Sequence, residues 1–126
     1  MNEFLMIFRN ENMEGGKTPS PEQMQAVMKE WQNWIGDIAA QGNFVSTNRL
    51  YTEGKSLLAN GTITDGPYAE VKEFIGGYVI VKAGTLEEAT EMAKTCPNLK
   101  YGGNVEVRGI MSIDQDVSSQ EFLNVK

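Results

Sequence analysis

A chain of 126 residues has a one-domain length and buries roughly two thirds of its unfolded surface, enough for a core without covalent staples. Its 40% hydrophobic and 22% charged residues are ordinary for a globular domain, so neither disorder nor a membrane protein is expected. With 11 basic against 17 acidic residues the net charge is −6, and the lack of any Lys/Arg cluster argues against a nucleic-acid partner. The sequence contains no histidine, which removes imidazole acid–base chemistry, Ser-His-Asp and Cys-His nucleophile systems, histidine-ligated haem and the usual zinc sites. Carboxylate, Lys, Tyr, Arg and Cys chemistry remains, and no cofactor is indicated.

The opening MNEFLMIFRNE has an acidic residue at position 3 and too short an apolar run for a signal peptide, and Cys96 has no partner for a disulfide. A cytoplasmic location is the expectation, with no stretch long enough to span a membrane. Glu3 to Arg9 alternates with Phe4, Met6 and Phe8 on one side and Leu5 and Ile7 on the other, which predicts a strand covered on both faces. After a polar loop, Ser20 as N-cap, Pro21 at the first position and Gln23 closing a capping box predict a helix start. Met24, Val27, Met28, Trp31, Trp34, Ile35 and Ile38 form one helical stripe, and Gly42 marks its end. The two tryptophans at this spacing read as core.

From Phe44 the pattern turns to short extended pieces, with Asn60-Gly61 predicting a hairpin in which both residues tolerate positive φ. Gly77 to Lys82 predicts a second strand apolar on both faces, Val79 and Val81 on one and Tyr78 and Ile80 on the other. Thr85 and Glu88 suggest another capping box, with a helix carrying Leu86, Ala89, Met92 and Ala93 that Pro97 ends. Asn104 to Ile113 alternates as a last strand, placing Val105 and Val107 opposite Glu106 and Arg108. Cys96 reads as a small buried filler.

This order, β-α-β-(hairpin)-β-α-β, predicts an α+β fold of ferredoxin-like split βαβ type with an inserted small hairpin, both helices on one face of an antiparallel sheet. The apolar residues on the other face then require a cover, and a second copy of the same sheet is the expectation, giving a homodimer through facing sheets. Residues 1–113 form the domain. Residues 114–126 form a C-terminal tail, either frayed or packed on a partner subunit.

The stretch TDGPYAEVKEFIGGY, Thr64 to Tyr78, concentrates the chemistry-bearing residues. Together with EFLMIFRN, SPEQMQAVMKEW and YGGNVEVRGI it resembles the YCII-related, DGPF-motif family of small bacterial proteins, over roughly residues 3–113. The resemblance implies a dimeric α+β barrel of ferredoxin-like halves with a cleft near the Asp-Gly-Pro turn. It also implies kinship with proteins that act on small organic acids in aromatic degradation and with others that accompany sigma factors. Active relatives in the wider group use a His and Asp pair. Here only Asp65 matches it, and Tyr68 stands where the motif has Phe.

Two readings of this stretch follow. In the structural one Asp65, Gly66 and Pro67 close a turn, Glu70 and Lys72 form a solvated pair of small energetic weight, and Gly76-Gly77 marks a bulge or close backbone approach. In the chemical one Lys72 or Glu73 joins Asp65 in a cleft where burial and mutual charge tune their protonation. Asp65 or Glu73 then serves as base and Lys72 or Arg108 as anchor for a developing oxyanion, while Tyr68, Glu70, Tyr78 and Arg108 bind. Function is accordingly expected to be small-molecule binding or regulation. The alternative is a cofactor-free lyase or isomerase acting on a small organic acid; a purely structural dimer is the third reading.

Overall fold

Local sequence signals set most of the elements. A computed structural model describes residues 1–11, 20–51, 53–65 and 73–111. In chain order these form β1 (Asn2–Glu11), α1 (Pro21–Ala40), β2 (Phe44–Arg49), β3 (Lys55–Leu57), β4 (Ile63–Asp65), β5 (Glu73–Ala83), α2 (Leu86–Ala93), α3 (Pro97–Lys100) and β6 (Asn104–Gly109). The expectations for residues 66–72, and for the tail beyond residue 111, fall outside the described residues.

The main sheet runs β2-β5-β1-β6 with every neighbouring pair antiparallel. That order, with α1 and α2 as crossovers, is an antiparallel α+β arrangement consistent with the ferredoxin-like fold. Between β2 and β5 the chain makes a separate two-stranded sheet, β3-β4. Its turn is closed by Gly61 N–H on Leu58 O at 2.9 Å and Leu58 N–H on Thr62 O at 2.8 Å. Among the described residues positive φ falls on glycines, Gly61 at +91° included, so Asn60 does not share it as the Asn-Gly signal predicts. Asn60 acts instead through its side chain, whose Oδ1 accepts from Thr62 N–H at 2.9 Å.

α1 starts as its sequence dictates. Ser20 Oγ accepts from Gln23 N–H, and Gln23 Oε1 accepts from Ser20 N–H at 2.9 Å, completing the capping box; Gly42 past its end has φ +77°. At α2 the reciprocal bond shifts by one residue: Thr85 Oγ1 accepts from Glu88 N–H, but the Glu88 carboxylate accepts from Gly84 N–H. Pro97 also departs from the expected role. α2 has already ended at Ala93, and Pro97 opens the short α3, where its missing N–H costs nothing.

Phe4, Met6, Phe8, Val79 and Val81 point into one core with Trp34 and Ile38 of α1 and Ala89 and Ala93 of α2. Met6, Val79 and Val81 are fully buried, each worth about 1.5–3 kcal/mol relative to exposure. Phe8, Trp31 and Trp34 meet edge to face at centroid distances of 4.9, 6.1 and 5.7 Å, and Trp34 Nε1–H donates to Met92 O at 3.0 Å, tying α1 to α2. The tryptophans are core, as their spacing predicts. The first turns of the stripe are not: Met24 and Met28 are exposed.

Gly76-Gly77 marks both a bulge and a close approach. Phe8 pairs with Gly77 and Arg9 with Ile75, so Gly76 is the extra residue in β5. A Cβ on Gly77 would lie 2.8 Å from Asn48 O.

Candidate functional site

Because side chains alternate along a strand, the residues between those of the core face form the other face of the sheet. Register places Arg108 opposite Leu5, Leu5 opposite Ile80 and Ile80 opposite Ser46. A parallel row runs Glu106, Ile7, Tyr78, Asn48. Leu5, Ile7, Tyr78 and Ile80 are half-buried, and none of them belongs to the core cluster on the helix side. Among the described residues, then, the cover expected on both faces is found on the helix side.

Charge collects at the β1-β6 edge of this open face. Arg9 Nη2 donates to Glu106 Oε1 at 3.0 Å, with side chains 33% and 40% exposed. Arg108 Nε stands 3.9 Å from Glu106 Oε2, too far for a hydrogen bond, and its side chain is 71% exposed. Toward β2, Asn48 Nδ2 donates to Tyr78 Oη at 2.8 Å. The hydroxyl retains its own hydrogen for an acceptor.

Asp65 sits elsewhere, at the end of the hairpin. It pairs in register with Lys55, and Lys55 Nζ donates to Asp65 Oδ1 at 2.6 Å, with the aspartate side chain 92% exposed. Glu53, Gly54, Lys55 and Asp65 line an open concavity there. In full solvent such a pair contributes little to stability.

Tyr68, Glu70 and Lys72 lie outside the described residues, and of Glu73 the structure gives the backbone, which opens β5 opposite Glu11. β5 thus begins at the end of the sheet that carries Arg9. Tyr78 and Arg108 share the open face in adjoining rows; no described hydrogen bond or ion pair joins either to Asp65.

Sequence reasoning missed Lys55, Arg9, Glu106 and Asn48 as partners. The period-two pattern did put Glu106 and Arg108 on one face, but which strand lies beside them depends on sheet order. Cys96 is buried, and burial pushes its thiol up to about 11, which suits the filler role. Among the described residues no three His, Cys, Asp or Glu side chains gather as metal ligands, and no helix is long and apolar enough to cross a membrane.

Compared with known families, residues 4–114 match the model described as YCII-related domain. No curated protein matches the sequence.

Proposed function

Since the chain belongs to the YCII-related family, we propose that it is a small-molecule-binding or regulatory protein that works as a homodimer of facing sheets, a dimeric α+β barrel. The cleft between the sheets opens toward the Asp65-Gly66-Pro67 turn. One observation carries this reading: the open face sets half-buried Leu5, Ile7, Tyr78 and Ile80 beside the loosely engaged guanidinium of Arg108. Apolar area with a few convergent polar groups is what a small-ligand site requires, and exposed apolar area on a sheet also favours association with a second copy.

The lyase or isomerase alternative is weaker. A general base gains from burial that brings its pKa toward neutrality, whereas Asp65 is exposed and already matched to Lys55 at 2.6 Å. Lys72 and Glu73 keep their place in that alternative as anchor and base, and Tyr68 and Glu70 as lining residues.

The test is a thermal-shift screen of the purified protein against small organic acids and divalent ions, alongside Asp65→Ala and light scattering. A ligand that raises the wild-type midpoint without turnover, on a dimer, is expected, because binding to the native state stabilises by mass action. Time-dependent product formation abolished in Asp65→Asn would replace binding with catalysis. A dilute, folded monomer would remove the facing-sheet dimer.

A further inference from the structure

We propose that Asn60 is a site of self-modification: the backbone nitrogen of Gly61 attacks its side chain, and the isoaspartyl product unlocks the β3-β4 hairpin and frees Asp65 from Lys55. The proposal does not depend on the binding reading above.

Sequence selects the position. Of the ten asparagines, Asn60 is the one followed by glycine, and a glycine nitrogen has no adjacent Cβ to hinder its approach. Both residues are exposed, in the turn between β3 and β4. Two contacts there act in opposite directions. Thr62 N–H donates to Asn60 Oδ1 at 2.9 Å, which polarises the side-chain carbonyl and already stands where negative charge forms during attack. Gly61 N–H donates to Leu58 O at 2.9 Å, which retains the proton that must leave. The first contact spans two residues and survives without the strand ladder, whereas the second belongs to the closed turn. That closure is weak: β3 and β4 have three residues each and form a sheet of their own, and a lone two-stranded hairpin is marginally stable and opens locally.

In the first step a base takes the Gly61 amide proton, the nitrogen bonds to Asn60 Cγ, and the Cγ–Nδ2 bond breaks with release of ammonia. The cyclic imide then takes up water at one of its two carbonyls, and no electrons change hands. Opening at one carbonyl gives an aspartyl residue at position 60. Opening at the other gives an isoaspartyl residue, whose main chain runs through the former side chain and is longer by one atom. Either product makes the net charge of −6 more negative by one, but the two differ in geometry. The aspartyl form keeps a charged acceptor in place for Thr62 N–H. In the isoaspartyl form the extra atom falls inside the turn that sets Lys55 opposite Asp65 and Leu57 opposite Ile63, so the ladder cannot close in the same register. Lys55 Nζ then loses Asp65 Oδ1, which it holds at 2.6 Å, and the carboxylate at the end of β4 is released.

Ageing the full-length protein in warm, mildly alkaline buffer, followed by peptide mapping with mass spectrometry, tests the modification. Position 60 is expected to convert ahead of the other nine asparagines, at a rate within about tenfold of that in the urea-unfolded chain. Asn60→Gln, which must close a larger ring, should stay unmodified. An Asn60 that persists in the folded protein while it converts in urea, or another asparagine that converts first, would overturn the proposal. Limited trypsin digestion tests the unlocking. Cleavage after Lys55 should be about tenfold or more faster for the isoaspartyl fraction of aged protein, because proteolysis follows the population of the opened form. Fresh Asn60→Asp, which has the charge without the added atom, should be cut like fresh wild type. Equal cleavage of all three, or equally fast cleavage of Asn60→Asp, would refute the release of Asp65 by a lengthened turn.

Discussion

Replacing Asn98 probes how α3 is fixed to the sheet end that carries Arg9. Asn98 is 6% exposed; its Nδ2 donates to Arg9 O at 3.2 Å and to Asn104 O at 2.9 Å, and its own backbone O accepts from Gly103 N–H at 2.9 Å. Asn98→Ala deprives two acceptors of their donor. At about 1 kcal/mol per bond, plus the penalty for buried acceptors left unmade, the loss is about 2–4 kcal/mol. A domain of this size shifts by about 4 °C per kcal/mol, so the midpoint should fall by about 8–16 °C. Asn98→Asp keeps the shape but turns a donor into an acceptor facing two carbonyl oxygens, so near neutrality it should be worse than alanine.

Its deficit should also depend on pH. Burial against carbonyls raises the folded pKa of the new carboxyl above its unfolded value of about 3.9, so the protonated form, which can donate again, is favoured in the fold. The penalty is then smallest below the unfolded pKa and grows as pH rises through the folded one. Calorimetric unfolding of wild type, Asn98→Ala and Asn98→Asp at about pH 4 and at neutral pH measures this. An aspartate variant as stable as wild type at neutral pH, or equally destabilised at both, would refute the donor role assigned to Asn98.

Three further outcomes are expected. Gly77→Ala should cost about 1–3 kcal/mol by denaturant titration, because its Cβ meets backbone at Asn48 O, 2.8 Å away. Gly76→Ala should cost less, since its nearest neighbour is the movable Asn10 Nδ2 at 3.0 Å. Iodoacetamide should alkylate Cys96, whose thiol is pushed up to about 11, about 10²-fold more slowly at pH 8 in the native than in the denatured chain. The exposed tether of Lys100 Nζ to Glu30 Oε1 at 2.6 Å holds the Glu30 carboxyl below 4.5 and the Lys100 ammonium above 10.5. Its stabilisation should be complete between those values, fade as pH falls below 4.5 or rises above 10.5, and vanish in Glu30→Gln; a wild-type unfolding profile identical to that of Glu30→Gln at both extremes would contradict it.

What the sequence made legible was mostly local. Ser20, Pro21 and Gln23 act within one turn of helix, and the Gly76-Gly77 bulge sits in the strand where it was read, so neither depended on knowing the rest of the fold. The Phe8-Trp31-Trp34 cluster was half visible, as a stripe without its partner on β1. The site was harder to see because its contacts are long-range: Arg9 and Glu106 meet only after β1 and β6 lie side by side, and Tyr78 and Asn48 only after β5 pairs with β2. Lys55 escaped notice for a subtler reason. Its pairing with Asp65 is fixed by the register of the hairpin, and that register depends on Gly61 alone taking positive φ in a turn where the dipeptide suggested two. Met24 and Met28 share the apolar stripe of α1 yet are exposed, because periodicity reports which face of a helix is apolar and not how much of that face is covered.

The two indole rings meet Phe8 edge to face, and its neighbours on β1, Ile7 and Arg9, project to the opposite side of the sheet. Intrinsic fluorescence therefore watches the helix-covered interior and is screened by a layer of backbone from events on the far side. A spectroscopist who sees a steady emission maximum on adding a ligand learns that the interior held still, and must look to a reporter near Tyr78 to learn whether anything bound.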